Sequence, residues 1–375
     1  MTAPLPLDPR PVRVLIVDDS AYMRHVISQH LNAAPGLSVV GAARDGREAL
    51  DLIPALDPDV ITLDVDMPRL DGLATLREIM AHFPRPVVML SGLVTESANE
   101  TVQALTWGAV DFVAKPSLRA NVAAVMNDVV AKVRLAASAQ VQPLALSPAI
   151  ARTRPFIQRP LTPAVARRAA PDKVIVMGAS TGGPRALTTV LAALPADLPA
   201  AILIVQHMPV GFTRPLADRL NKISPLAIKE AEAGDALEAG QALLAPAGFH
   251  MTLDEHGRIA LNQNPPLHGV RPAMDVTMAA VAQRYPGAAI GVVLTGMGSD
   301  GRHGSALIHA AGGQVIAEAE SSCVVWGMPR SVAEAGLADA VVPLPEIAAA
   351  IRHAVPAQPA LHPAGRFSPG GEPPG

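Results

Sequence analysis

The fold of the second half of the chain follows from one stretch, Val174-Ile-Val-Met-Gly178-Ala-Ser180-Thr-Gly182-Gly183-Pro184. Its apolar run predicts a buried parallel strand, and Pro184 suits the first turn of a helix, where a missing N–H costs nothing. The glycines between them permit a tight turn. The stretch therefore predicts a strand–turn–helix unit with Ser180 at the carboxyl end of the strand. There its hydroxyl lies beside the N–H groups of a helix start, which can stabilise a developing oxyanion.

Two other interpretations of this turn are open. A glycine-rich turn after a strand can bind a dinucleotide, but an acidic residue is then expected about 20 residues further on. The next apolar run, Ala201-Ile-Leu-Ile-Val205, is followed instead by Gln206 and His207. A purely structural turn, with Ser180 as a helix cap, fits the residues as well as a nucleophile does. A hydrolase is preferred only if the chain also supplies a base.

Composition excludes several other classes of protein. The 375 residues are enough for two or three domains, and half of them are hydrophobic. No apolar run reaches the roughly 18 residues needed to cross a bilayer, and the N-terminus lacks the features of a secretion signal. Cys323 is the only cysteine, which excludes an internal disulfide, and the net charge of −3 gives no sign of a nucleic-acid partner. We expect a cytoplasmic protein without membrane insertion.

Strand and helix patterns divide the chain into two α/β parts. Residues 12–135 predict a doubly wound parallel sheet, and residues 173–353 predict a second one. The strand-like runs of the first part are Val12–Val17, Ser38–Ala43, Val60–Leu63, Val87–Leu90 and Val110–Ala114. Residues 136–172, rich in Pro, Ala and Arg, predict a flexible linker, and residues 354–375 predict a disordered tail.

Polar side chains follow the strands of the first part. Asp18 and Asp19 follow the first strand, Asp64 the third, Ser91 the fourth and Lys115 the fifth. Ligands of doubly wound sheets bind at these carboxyl ends. Three carboxylates gathered there repel one another unless a hard cation such as Mg²⁺ neutralises them, and a carboxylate beside it can attack a phosphoryl group. A lysine and a hydroxyl nearby can hold the phosphoryl oxygens.

Residues 12–135 resemble the receiver domain of two-component response regulators, which has a flavodoxin-like fold with a five-stranded parallel sheet. The resemblance implies that Asp64, in Leu63-Asp64-Val-Asp66-Met67-Pro68, is the phospho-acceptor and that a histidine kinase is the phosphodonor. It also implies Mg²⁺ binding by Asp18, Asp19 and Asp64. The supporting hydroxyl, aromatic switch and lysine positions are matched by Ser91, Phe112 and Lys115.

The second part offers a base for Ser180. His207 ends the strand Ala201–Val205, which follows the Ser180 turn and its helix. Sequential parallel strands usually neighbour one another, so Ser180 and His207 are expected side by side, as a nucleophile and its general base must be. His303, three residues after Asp300, is an alternative, but no strand geometry places it next to Ser180; His250 lies in another loop that could line the cleft. We therefore rank His207 first.

The expected acid comes from a third glycine-rich loop. Asp300 follows the buried strand and loop Ala289-Ile-Gly-Val-Val-Leu294-Thr-Gly-Met-Gly298-Ser299 and is placed to orient an imidazole. The chain order is then Ser180, His207, Asp300. In the α/β-hydrolase fold the acid precedes the histidine, so a conventional lipase or esterase of that fold is disfavoured.

Both parts together resemble the CheB family, chemotaxis response regulators that are protein-glutamate methylesterases. The matching blocks are Gly178-Ala-Ser-Thr-Gly-Gly183, Val205-Gln-His-Met-Pro209, Leu244-Ala-Pro-Ala-Gly248, Leu294-Thr-Gly-Met-Gly298 and Gly327-Met-Pro-Arg330. The resemblance implies Ser180 as nucleophile, His207 as base and Asp300 as orienting acid. Thr181, the Met297 backbone and Arg271 are implied as oxyanion or substrate supports, although a surface arginine remains a fair interpretation of Arg271.

The resemblance implies hydrolysis of glutamate γ-methyl esters on methyl-accepting chemotaxis receptors, deamidation of glutamines, and control by receiver phosphorylation. No cofactor is expected for the esterase reaction itself. The chain departs from the family at Ala317-Glu318-Ala319-Glu320, where the family commonly carries Gln-Asp. Two further classes are a DNA-binding response regulator, for which residues 173–350 show no helix-turn-helix pattern, and a receiver joined to an inactive esterase fold.

Overall fold

The structure is a computed structural model that describes residues 10–92, 95–115, 122–139 and 171–355. These residues form two parallel sheets, each covered by helices on both faces, and a short antiparallel hairpin. The predicted α/β fold class is therefore confirmed. The predicted tail beyond residue 355 and most of the predicted linker, residues 140–170, lie outside the described residues.

The first sheet contains the five predicted strands in the order β2-β1-β3-β4-β5, all parallel. Its elements are β1 (Val12–Val17), α1 (Ala21–Ala33), β2 (Leu37–Ala43), α2 (Gly46–Leu56), β3 (Val60–Asp64), α3 (Gly72–His82), β4 (Val87–Ser91), α4 (Thr95–Trp107), β5 (Asp111–Ala114) and α5 (Val122–Ala137). Side-chain caps fix where two of these helices begin. Ser20 caps α1 through the N–H of Met23, and Asp45 caps α2 through that of Glu48.

The second sheet has the order β14-β13-β12-β6-β7-β9-β8, again all parallel, and β10 and β11 form the hairpin. Its strands are β6 (Lys173–Ala179), β7 (Ala200–Gln206), β8 (Ala227–Glu230), β9 (Gln241–Leu244), β10 (His250–Leu253), β11 (Ile259–Asn262), β12 (Ala289–Val293), β13 (Gln314–Glu318) and β14 (Ala340–Val342). Its helices are α6 (Gly183–Ala192), α7 (Thr213–Ile223), α8 (Met274–Arg284), α9 (Arg302–Ala310), α10 (Met328–Ala333) and α11 (Leu344–Ala354).

Strand order places a ligand crevice beside β6. The chain passes from β6 outward through β7 on one side and later returns to add β12 on the other. In open α/β sheets, ligands bind at the carboxyl ends of strands where the order reverses in this way. The predicted neighbourhood of β6 and β7 is confirmed, with Ala179 paired to Gln206 in the last described rung.

The two domains pack directly on each other. Helix α4 of the first domain contacts α6 and α7 of the second. Buried apolar residues from both sides, including Leu105, Phe112, Leu187 and Leu216, belong to one continuous cluster. At its edge the rings of Phe112 and Phe212 lie 4.4 Å apart, centroid to centroid, in a tilted arrangement. The contact therefore has an aromatic centre that joins β5 to the start of α7.

Candidate active site

The predicted nucleophile, base and acid meet at one cavity of about 1010 Å³. Ser180 follows β6, His207 follows β7 and Asp300 lies in the loop after β12, so the three side chains come from neighbouring strand ends. All three line the cavity. Asp111 and Phe112 of the first domain line it as well, so the cavity is an interdomain cleft.

His207 is held by Asp300. Its Nε2 lies 2.8 Å from Asp300 Oδ2, and the N–H groups of Met274 and Asp275 donate to the same carboxylate at 2.6 and 2.9 Å. Burial works to raise the pKa of Asp300, but the hydrogen bond and charge of His207 and these backbone donors outweigh it and hold the pKa below its ordinary value. Asp300 is therefore ionised at neutral pH and accepts a hydrogen bond from His207 Nε2.

The Ser180 hydroxyl makes no hydrogen bond to the residues that the structure describes. The backbone N–H of Ser180 donates to Thr295 O at 3.0 Å, and the N–H of His207 donates to Ala179 O at 3.1 Å. These two bonds place the serine and the histidine on adjacent strand ends. Nε2 of His207 faces Asp300, so Nδ1 is the ring nitrogen without a hydrogen-bond partner among the described residues. Catalytic hydrogen bonds often form only when the substrate is bound.

Two backbone donors are free near Ser180. Within the described part of the chain, the N–H groups of Thr181 and Met297 have no acceptor. The Met297 side chain is 64% exposed and lines the cavity. The two loops approach so closely that a Cβ on Gly296 would lie 2.8 Å from Ser180 Cβ, so glycine is required there. Free N–H groups beside a serine suit a developing oxyanion.

Thr295 joins these loops, and sequence reasoning missed it. Its hydroxyl donates to Thr181 O at 3.0 Å and accepts from the N–H of Val325 at 3.0 Å. Its own N–H donates to Glu318 Oε2 at 2.8 Å. Glu318 is fully buried, and burial raises the pKa of its carboxyl. The departure from the family at Glu318 thus lies beneath the loop that carries Met297, and Thr295 has no sequence signal apart from its position in the glycine-rich block.

The first domain gathers its predicted residues as well. Lys115 Nζ lies 2.9 Å from Asp18 Oδ2 and 2.6 Å from Asp64 Oδ2. Carboxylate oxygens of Asp18, Asp19 and Asp64 lie within 4.8 Å of one another. Burial first, and the charge of Asp18 after it, raise the pKa of Asp64 to about 6 although Lys115 works in the opposite direction. This excess negative charge, on oxygen ligands at a half-open site, fits Mg²⁺.

Comparisons with known proteins match both domains of the chain. A family model described as CheB methylesterase matches residues 175–351, and one described as response regulator receiver domain matches residues 14–127. A relative from Symbiobacterium thermophilum, named protein-glutamate methylesterase/protein-glutamine glutaminase, is 50% identical and covers 92% of this chain and 98% of its own length. The chain belongs to the CheB methylesterase family.

Other relatives have the same name. One from Pyrococcus abyssi is 43% identical to this CheB-family chain over 94% of its residues and 95% of the relative. The crystal structure of the Thermotoga maritima CheB methylesterase catalytic domain is 44% identical, with a TM-score of 0.47, and covers 48% of this chain and 97% of that one. The predicted membership of the CheB family, with a receiver and a methylesterase domain, is therefore confirmed.

In this CheB-family chain the receiver contacts the turn that carries Ser180, residues Ser180–Gly182. The Thr181 hydroxyl donates to Asp111 Oδ2 at 2.6 Å, and the Gly182 N–H donates to Val110 O at 3.3 Å. Lys132 lies 3.3 Å from the other oxygen of Asp111. Asp111 precedes the predicted switch residue Phe112, but its partner is 70 positions away, so the sequence gave no sign of this contact.

The remaining receiver residues lie behind this contact. Ser91 accepts a hydrogen bond from Thr101 at 2.6 Å and lies at the end of β4, next to β5. The Phe112 side chain is buried against Phe212, and Lys132 Nζ hydrogen-bonds the Phe112 carbonyl oxygen. The aromatic position predicted to respond to phosphorylation is thus part of the interdomain contact.

The other histidines are arranged differently. His250 is buried and bonds Pro265 O and the N–H of Ala273, while His303 is exposed on α9. His268, which sequence reasoning did not single out, lines the cleft and lies 2.8 Å from Asp275 Oδ2. Asp275 also accepts the N–H groups of Gly301 and Gly304, which fix the loop that carries Asp300.

Arg271 lines the cleft, and hydrogen bonds to two backbone carbonyl oxygens hold its guanidinium in place. Its Nη1 donates to Gln263 O at 2.8 Å and to Asn264 O at 2.9 Å. These bonds brace the segment that carries His268 against the cleft wall. No helix among the described residues is both long and apolar enough to span a membrane.

Proposed function

We propose that this chain hydrolyses glutamate γ-methyl esters on methyl-accepting chemotaxis receptors and that phosphorylation of its receiver controls this activity. The observation that best supports this proposal is that Ser180, His207 and Asp300 meet at one sheet edge, where His207 Nε2 lies 2.8 Å from Asp300 Oδ2. The names of the relatives support the methylesterase and glutaminase activities. We propose that the chain divides into a receiver over residues 12–135, a linker over 136–172, a catalytic domain over 173–353 and a tail over 354–375.

In the proposed reaction, His207 takes the proton of Ser180 as the serine oxygen attacks the ester carbonyl. The N–H groups of Thr181 and Met297 hold the tetrahedral oxyanion. Collapse breaks the carbonyl–methoxy bond, and methanol leaves with the proton from His207. Water then attacks the acyl-enzyme with His207 again as base; the bond between the acyl carbon and the Ser180 oxygen breaks, the proton returns to that oxygen, and the glutamate carboxylate is released. A glutamine amide passes through the same steps and releases ammonia.

A histidine kinase is the proposed phosphodonor. One oxygen of Asp64 forms the new P–O bond as the P–N bond of the donor histidine breaks. Lys115, already 2.6 Å from Asp64, and Ser91 would hold the phosphoryl oxygens. Asp18, Asp19 and Asp64 would hold Mg²⁺, which when bound neutralises charge at this centre.

Control would act through the docked receiver. In the structure Asp111 and Val110 engage Thr181 and Gly182, directly after Ser180. A receptor segment cannot occupy the same positions. Phosphorylation adds charge at Asp64, which biases the arrangement of Ser91 and Phe112 at the neighbouring strand ends. Release of Phe112 from Phe212 would then open the cleft.

Methanol release from purified methylated receptor tests this proposal. We expect the wild-type chain to release methanol and to do so faster with a small-molecule phosphodonor and Mg²⁺. Asp64→Asn should keep the basal rate and lose the increase, because the amide cannot accept a phosphoryl group. Asp51→Asn, at an exposed position on α2, is the matched control and should respond as the wild type does. Stimulation of Asp64→Asn would refute phosphorylation at Asp64, and absence of methanol in every sample would refute the esterase.

A further inference from the structure

Gln206 connects the two residues that the mechanism must hold together. It is the last residue of β7, its side chain is buried with 1% exposure, and it directly precedes His207. Its Nε2 donates to Ser180 O at 2.8 Å and to His207 O at 3.1 Å. Both hydrogens of one amide therefore bind the backbone of the proposed nucleophile and the backbone of the proposed base.

The orientation of this amide follows from its partners. Two carbonyl oxygens at hydrogen-bond distance require the NH₂ group, so Oε1 faces the other way. There Oε1 is buried without a hydrogen-bond partner in the described part of the chain. Leaving such a group unpaired typically costs about 1–3 kcal/mol. An unpaired buried acceptor calls for an explanation, and the two bonds on the opposite side of the amide supply one.

The turn after Ser180 leaves room for the side chain of Gln206. A Cβ on Gly183 would overlap Gln206 Oε1, so a side chain there would displace the amide. The second glycine of the Gly182-Gly183 pair is therefore needed for Gln206 and not only for the turn. Gly183 in one loop and Gln206 at the end of another strand are therefore sterically matched.

No other side chain among the described residues hydrogen-bonds the backbones of both Ser180 and His207. The strand ladder between β6 and β7 ends with the bond from the His207 N–H to Ala179 O. Beyond that rung, the segments Ser180–Gly182 and His207–Pro209 share no hydrogen bond in the described chain except those of Gln206. Among the described residues, the Gln206 amide is therefore the one hydrogen-bonding link between these two segments beyond the strand ladder.

We propose that Gln206 is a positioning residue that sets the distance and orientation between Ser180 and His207 during proton transfer. The roles of these two residues rest on the proposed function. Gln206 touches neither substrate nor a reacting atom in this assignment and acts through the two backbones. A small misplacement of reacting groups can lower a rate by about a hundredfold, so the effect should fall on the chemical step.

The test is Gln206→Met in the full-length chain, which keeps the length of the side chain and removes both donors. We expect kcat for methanol release to fall about tenfold with KM within twofold. Gln206→Glu places acceptors against the two carbonyl oxygens and should lower kcat further. Gln241→Met is the matched control, because Gln241 also carries a buried, unpaired Oε1 but does not line the cleft. It should retain kcat.

A second measurement makes the outcome independent of the natural substrate. Phenylmethylsulfonyl fluoride sulfonylates an activated serine with release of fluoride, and its rate of attachment to Ser180, located by peptide mass, should fall in Gln206→Met by the same factor as kcat. If the wild type releases no methanol, the proposed function fails while the labelling rates still decide this inference. Equal labelling and equal kcat in the wild type and Gln206→Met would overturn it. A loss of thermal stability alone, with kcat unchanged, would show a purely structural role and overturn it as well.

Discussion

Replacing Ser180 by alanine should lower methanol release by roughly 10⁴-fold or more. Removal of the nucleophile from a serine hydrolase leaves only the contribution of substrate binding and oxyanion donors, and losses of about 10⁶-fold in kcat are known for such changes. Glutamine deamidation should disappear together with ester hydrolysis, because both pass through the same acyl-enzyme. Methanol and ammonia release from the same receptor preparation measure the two activities.

The alanine variant should fold as the wild type does. The Ser180 hydroxyl has no hydrogen bond within the described residues, so its removal leaves no buried group unpaired. Ser224→Ala is the matched control. Ser224 lies at the opposite end of the domain, where its hydroxyl donates to Leu191 O at 2.9 Å and accepts from the N–H of Leu226.

These two variants separate chemistry from stability. Ser224→Ala should cost about 1 kcal/mol of unfolding free energy while keeping turnover, and Ser180→Ala should show the reverse. Thermal melts and methanol release on the same samples provide both numbers. Turnover by Ser180→Ala within about tenfold of the wild type would remove Ser180 from the mechanism and direct attention to another nucleophile.

Most of the candidate site could be predicted because it depends on local rules. Ser180, His207 and Asp300 each follow an apolar strand, and carboxyl ends of parallel strands meet at one sheet edge. The same rule placed Asp18, Asp64 and Lys115 together. The order of chemical groups along the sequence was therefore sufficient to predict both constellations without side-chain geometry.

The features that sequence reasoning missed all depend on tertiary packing. Thr295 lies just beyond β12, and the sequence marked Glu318 as a departure from the family but not its burial or its hydrogen bond with the Thr295 N–H. His268 pairs with Asp275 only because the segment before α8 folds back over the cleft. Asp111 meets Thr181 across two domains, and the sequence pattern of neither domain contains information about how they pack.

The same packing brings contributions of opposite sign to the interdomain contact. Arg219 of α7 donates from Nε to Thr106 Oγ1 at 2.8 Å. The guanidinium of Arg185 on α6 lies near Gly108 and has no hydrogen bond or ion pair among the described residues. Burial lowers the pKa of both guanidinium groups. Taking cations out of water without a carboxylate partner opposes docking, whereas the Phe112–Phe212 contact favours it. The free energy of docking is therefore a balance between contributions of opposite sign.

Thr106→Arg should shift that balance toward the open state. The new guanidinium would face Arg219 where a hydroxyl now accepts its hydrogen bond, adding a like charge to a contact that already buries two cations. We expect basal methanol release from the full-length chain to rise roughly 5- to 150-fold, the range of a coupling free energy of about 1–3 kcal/mol. Gln29→Arg, on the exposed side of α1, adds the same charge away from this contact and should leave the rate unchanged.

The double variant Asp64→Asn/Thr106→Arg separates docking from phosphorylation. If the receiver inhibits by occupying the nucleophile turn, opening the contact bypasses the phosphoryl group, and the double variant should be as active as Thr106→Arg alone without any phosphodonor. The wild type should approach this rate only when phosphorylated. Small-angle X-ray scattering should show a larger radius of gyration for Thr106→Arg than for Gln29→Arg. A more extended Thr106→Arg chain with unchanged methanol release would mean that contact with Thr181 and Gly182 does not limit access to Ser180, and the inhibitory role of the receiver would have to be abandoned.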